Sequence, residues 1–161
     1  MAIPAYMWIK DDGGADIKGS VTVSGREGSV EVVAFDHGVH LPTDSNTGKL
    51  TGTRVHKPVV LTKETDASTP YLYKAVTKGQ TLQAVEIKWY KIDDSGKEQE
   101  YFNTRMENVK VVGVTPRMLD IKNPAFEKHN HLEDIELRYE KITWAYKDGN
   151  IIHDDSWNER S

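Results

Sequence analysis

The chain has no cysteine among its 161 residues, which excludes disulfides and thiolate metal centres and suits either redox compartment. It has no apolar run near the ~20 residues that a membrane-spanning helix needs, so no membrane insertion is expected. Basic residues form no stripe. The 21 Lys and Arg face 25 Asp and Glu, for a formal net charge of −4, which disfavours a nucleic-acid partner. Met1 to Lys10 contains Pro4 and Trp8 but no basic segment followed by an apolar one, so no cleaved secretory leader is expected. Catalytic signatures are missing too. There is no Gly-x-Ser-x-Gly elbow, and Thr47-Gly48-Lys49-Leu50 lacks the upstream glycine and the following hydroxyl that a phosphate loop requires. What remains is a cytoplasmic protein with no visible active site and no cofactor motif. It is long enough for one real core and is most simply one domain over residues 1–161.

What is present reads as β-structure. From Leu132, the residues Ile135, Leu137 and Tyr139 alternate with charged neighbours, the period-2 pattern of a half-buried strand. After Glu140-Lys141 the phase flips to Ile142, Trp144 and Tyr146, which predicts a bulge or sharp bend there. Asp148-Gly149 supplies a tight turn, and a return strand runs toward Trp157. Further strands are predicted at Ala5–Lys10, weakly around Val21 and Val23, at Val30–Phe35 and at Val55–Thr62, where Pro58 suggests an edge or a strand start. Thr81–Ile92 and Glu98–Val114 form a long hairpin about Asp93-Asp94-Ser95-Gly96, its second strand changing phase between Met106 and Val109. One helix is predicted, with Ser68 or Thr69 as cap, Pro70 in the first turn and Gly79 past the end. Its apolar face is Leu72, Ala75 and Val76, and a lone helix must lie on a sheet. The expected architecture is mainly β: a barrel or sandwich of antiparallel strands with one helix.

Between His40 and Thr53 the strand pattern stops. Leu41 and Leu50 are the only large apolar residues in a polar background with Pro42, Gly48 and Gly52. The stretch is either a long mobile hairpin loop or an arm that orders against another chain. Its backbone is expected to find few partners in its own domain. On the second reading Leu41 and Leu50 become buried by that chain, while Lys49 and Arg54 meet its carboxylates.

The histidines at His37/His40, at His129-Asn130-His131 and at His153-Asp154-Asp155 lie beside turn residues without a diagnostic ligand spacing, so exposed turn histidines are expected rather than a metal site. Four tryptophans suggest a monomeric carbohydrate-binding β-sandwich as an alternative, although Trp8, Trp89 and Trp144 sit in strand patterns typical of a core.

Four stretches carry a resemblance: Lys63-Glu64-Thr65-Asp66-Ala67-Ser68-Thr69-Pro70, Lys88-Trp89-Tyr90-Lys91, Glu100-Tyr101-Phe102-Asn103 and Leu137-Arg138-Tyr139-Glu140-Lys141-Ile142. Together with the order of parts they resemble the Hcp family, the haemolysin-coregulated proteins of the type VI secretion inner tube. The resemblance implies a β-barrel of two antiparallel sheets with one flanking helix and a long extended loop. It further implies a structural protein, not an enzyme, that forms homo-hexameric rings stacking into a hollow tube. Small effectors ride in the lumen, and the spike, sheath and baseplate proteins are partners. Such a tube is cytoplasmic when assembled and is then secreted without a leader. On this reading the loop residues His40, Leu41, Thr43, Asp44, Lys49, Leu50, Thr53 and Arg54 reach neighbouring subunits or rings. Asp36, at the polar end of the Val30–Phe35 strand, is then the candidate for lumen and cargo contact, against the plainer role of a carboxylate capping the loop.

Overall fold

Three long strands joined by hairpins carry the fold. The structure, a computed structural model, describes residues 3–128 and 130–157. In chain order its elements are β1 (Ala5–Lys10), β2 (Asp16–Ile17), β3 (Val30–Val32), β4 (Ala34–Asp36), β5 (Val39–His40), β6 (Val55–His56), β7 (Val59–Glu64), α1 (Thr69–Lys78), β8 (Thr81–Ile92), β9 (Glu98–Arg117), a 3-10 turn (Pro124–Phe126), β10 (Leu132–Tyr146) and β11 (Ile151–Ser156). Nine strands make one antiparallel sheet, running β2-β1-β8-β9-β10-β7-β4, with β11 on β10 and β3 on β1; β5 and β6 pair separately. The described residues are therefore mainly β, with two antiparallel sheets and one α-helix, as expected.

The barrel needs one correction. Among the described residues no continuous ladder closes the sheet. Instead residues 30–36 span the gap: β3 pairs with β1, and β4 pairs with β7. At the switch the Val33 N–H donates to the Thr62 carbonyl at 2.8 Å. One short stretch cannot run the full length of two ladders, so the sheet is curled and bridged rather than closed. Two strand expectations also change. Val21 and Val23 are not in a strand; the loop folds on itself, with Gly19 donating to the Gly28 carbonyl and Gly28 to that of Val21. Val55–Thr62 is broken at Lys57-Pro58 into β6 and β7, and β7 is paired on both sides.

The predicted phase changes are real. On either side of the flip β10 buries Ile135, Leu137 and Tyr139, then Ile142, and β9 buries Val111 and Val109, then Met106 and Thr104. Both strands flip at the same row without losing register, where Asn108 takes a φ of 52° and its amide donates to Glu140 Oε2 at 3.1 Å. The register slip itself lies elsewhere, opposite Glu136/Leu137, where Val112 is the extra residue on β9. A second slip at Trp89/Tyr90 makes Tyr101 the extra residue and lets Tyr90 stay buried. Arg26 lies 3.9 Å over the Tyr90 ring and pairs with Glu98, which pins the irregular loop to the sheet.

α1 begins at Thr69 after Ser68 and ends at Gly79, whose φ is 64°. Its Leu72 and Ala75 are buried in the core with Met7, Leu61, Val85, Ile87, Met106 and Ile135. Ser68 holds the cap position, yet its hydroxyl donates to Asp66 Oδ1 at 2.5 Å instead of capping. The helix start is fixed by a buried charge cluster. Lys63 on β7 and Glu133 on β10 are ladder partners, both essentially inaccessible, and form an ion pair. Lys63 Nζ also lies 3.1 Å from Asp66 Oδ1 and donates to Thr69 Oγ1 at 3.2 Å; that hydroxyl donates to Glu133 at 2.7 Å. Thus α1 is tied to two strands by ionic hydrogen bonds with little water to weaken them.

Breaking such a pair from one side leaves an uncompensated buried charge. Lys63→Met should lower unfolding free energy by about 3–5 kcal/mol. Lys63→Met with Glu133→Leu should recover most of that loss in urea titrations; equal stability of parent and single variant would contradict the account.

Candidate functional site

The expected arm is a self-paired hairpin. Thr43 and Leu50 form an antiparallel bridge. Asp44 N–H donates to the Lys49 carbonyl at 2.7 Å, and Thr51 N–H to the Pro42 carbonyl at 3.0 Å. Asp44 closes the tip by accepting from Asn46 N–H at 2.9 Å and the Thr47 hydroxyl at 3.2 Å, bonds that hold its carboxyl below the usual carboxylate range. The expectation of few internal hydrogen bonds is therefore corrected: Asx-turn chemistry satisfies much of this backbone locally. Its apolar side chains are not satisfied. Leu41 and Leu50 remain 53% and 63% exposed. His40, Thr43, Lys49 and Thr53 are exposed along the same projection.

Arg54 does not sit with them. It turns back to its own chain, donating to Asp155 through Nε at 2.8 Å and Nη2 at 2.9 Å, and to the Ser156 carbonyl at 2.5 Å. His56 joins it there. Its Nε2 lies 2.6 Å from Asp155 Oδ2, and its Nδ1 lies 2.5 Å from the Tyr139 hydroxyl. His37 Nε2 reaches the same hydroxyl at 2.8 Å. The His56 ring stacks on Trp144 at 6.5 Å, and Trp144 stacks on His153 at 6.1 Å. This network roots the arm, since the β5–β6 ladder stands apart from the main sheet. Bidentate hydrogen bonds from Arg54 hold the Asp155 carboxyl below its ordinary value against burial, and the His56 bond adds to this. Burial, then the Asp155 charge, push the Tyr139 phenol well above its ordinary range despite Arg138.

Asp36 is exposed at the end of β4, opposite Val60, two residues before Gly38 where the chain enters the arm. Among the described residues no group of three or more His, Cys, Asp or Glu could hold a metal. His129 lies outside them, and His131 is exposed. The four tryptophans are half-buried: Trp89, Trp144 and Trp157 pack on the core, and Lys88 lies 4.7 Å over Trp8. No described helix is long and apolar enough to cross a membrane.

A curled sheet with one helix on its face and a projecting hairpin is a fold with known relatives. The family model described as "Type VI secretion system effector, Hcp" matches residues 6–146. The chain belongs to the Hcp family of type VI secretion. Hcp proteins are secreted structural proteins rather than enzymes. The chain is 37% identical to the Major exported protein of Pseudomonas aeruginosa, over 98% of this chain and 96% of that one. Among solved Hcp structures, the Hcp1 protein of the E. coli EAEC 042 pathovar is 68% identical, covering 97% of this chain and 99% of its own, with a TM-score of 0.88. The secreted protein Hcp3 of Pseudomonas aeruginosa is 32% identical, covering 98% of this chain and 100% of its own, with a TM-score of 0.80.

Sequence reasoning singled out the arm of this Hcp chain but not its root. Tyr139 was legible as an inward-facing strand residue, and a buried phenol needs a hydrogen-bond partner. That signal points to a polar cluster without naming His37, His56 or Asp155. Because the folded Asp155 carboxyl is depressed, its stabilisation is present above the ordinary value of 3.8 and fades as pH falls through the lower folded value. Asp155→Asn should cost on the order of 2–3 kcal/mol at neutral pH. The gap to the parent should narrow in acid, as denaturant midpoints at both pH values will reveal; no gap at neutral pH would contradict the assigned role.

Proposed function

We propose that this chain, acting as a single Hcp-like domain over residues 1–161, assembles as homo-hexameric rings that stack into the type VI inner tube. The observation that carries this reading is the arm: a hairpin satisfied in its backbone and fastened at its root, yet presenting Leu41 and Leu50 to solvent. A fastened projection with apolar flanks fits a partner surface better than it fits water. Edge management supports the same reading. Among the described residues β11 pairs only with β10, and its Ile151 and Ile152 are 66% and 56% exposed. A heterologous interface that closes into a ring covers such an edge on every copy.

In this reading His40, Leu41, Thr43, Asp44, Lys49, Leu50 and Thr53 contact the neighbouring subunit or ring, whereas Arg54 positions the arm from behind. Asp36 faces the shared lumen, where small effectors are carried. Spike, sheath and baseplate proteins are the remaining partners. The tube is built in the cytoplasm and leaves through its own apparatus, so export needs no cleaved leader.

Native mass spectrometry at micromolar concentration should find hexamers; a monomer at that concentration would overturn the proposal. Replacing 40–53 by Asn-Gly should leave a folded body but reduce ring formation or stacking. Asp36→Arg should keep rings while reducing co-purified effector. A shortened arm that assembles like the parent would reduce the arm to a loop, and unchanged effector loading would remove Asp36 from the lumen.

A further inference from the structure

Side chains from three segments meet on one hydroxyl. Tyr139 of β10 is buried, with His37 Nε2 at 2.8 Å and His56 Nδ1 at 2.5 Å from its oxygen. His37 follows β4, and His56 ends β6. A phenol has one proton to donate, so between two imidazoles it gives to one and accepts from the other. With both rings neutral the chain is complete. His37 Nε2–H donates to Tyr139, Tyr139 donates to His56 Nδ1, and His56 Nε2–H donates to the Asp155 carboxylate.

One added proton is accommodated by reversal. His56 then donates from both nitrogens, and Tyr139 donates to a His37 whose own proton sits on Nδ1. Two added protons are not accommodated. Both rings would donate to one oxygen, the phenol proton would lose its acceptor, and two imidazolium cations would face each other across it.

The surrounding charges do not relieve this. Asp155 on β11 supports one cation at His56 but is already engaged by Arg54. Arg138 lies beside Tyr139 on β10 and adds positive charge, as does Lys57, whose side chain runs along Gly38. Asp36, the anion whose charge acts on His37 among the described residues, is exposed, and its field is weakened by water. Burial and the neighbouring His56 hold His37 below the ordinary histidine value, with Asp36 opposing them. His37 is half-buried and has solvent to move into. The adjoining Gly38 carbonyl accepts the Lys57 N–H at 2.8 Å, which is the backbone bond at the arm's root.

We propose that His37, Tyr139 and His56 form a proton-counting latch at the root of the arm, closed with none or one extra proton and opened by the second. Opening releases the His37 side of the arm's root and leaves Arg54 on Asp155, while β8, β9 and β10 stay paired, because their ladders do not involve His37. The latch is a property of one copy and stands apart from assembly.

Hydrogen exchange of the full chain, kept dispersed, from about pH 7.5 to about pH 4.5, spans the histidine range. After correction for the intrinsic pH dependence of exchange, protection of 39–56 should fall at least about tenfold on acidification while β8–β10 remain protected. His37→Gln keeps a neutral donor to Tyr139 and should abolish the fall. Loss of protection unchanged by His37→Gln would overturn the latch, and so would an arm protected across the whole range. If His37→Gln does not fold, ring NMR of the parent decides. Arm protection should drop together with protonation of the second of these two rings, and two charged rings beneath a protected arm would overturn the proposal.

Discussion

A curled sheet must dispose of two edges, and here residues 30–36 hold both. The first half of the stretch belongs to β1 and the second to β7, with Val33 as the pivot. Much of the molecule follows from that constraint. Because β4 is committed to β7, the next residues emerge at the rim, where His37 meets Tyr139 and Gly38 leads into β5. The return strand β6 must come back to the same rim before β7 can start, and Pro58 breaks the ladder there. The arm is thus an excursion from the seam, and the seam fixes where it leaves.

Two polar clusters then hold what the hydrophobic core does not specify. Lys63, Glu133, Asp66 and Thr69 set the start of α1 against β7 and β10. Arg54, Asp155, His56 and Tyr139 set the direction of the arm against β10 and β11. Apolar burial is non-directional, whereas hydrogen bonds between buried ionic groups have fixed geometry and penalise misplacement. A projecting hairpin with little core of its own depends on that second kind of force.

The sequence was most readable where periodicity is enforced by a continuous core. β8, β9, β10 and α1 lie where alternation and cap residues predict, and both phase changes were visible because inward residues had to stay apolar on each side of Asn108 and Glu140. Val21 and Val23 misled because alternation over so few residues also occurs in a loop held by Arg26. The seam was unreadable since Val30–Phe35 looks alike in one ladder or in two. The arm's extent was legible from its polarity. Its internal pairing was less so, because Asp44 acts through its side chain. The root was hidden for a simpler reason: its hydrogen-bonded pairs are up to 102 residues apart and meet only when the sheet curls.

The most direct test of this account is a cryo-electron-microscopy map of the purified chain. The account predicts rings in which residues 40–53 of each copy lie on another copy, covering Leu41 and Leu50, with Arg54 still on Asp155 of its own chain. A map in which 40–53 touches only its own copy, or particles no larger than the 18.2 kDa chain, would contradict it.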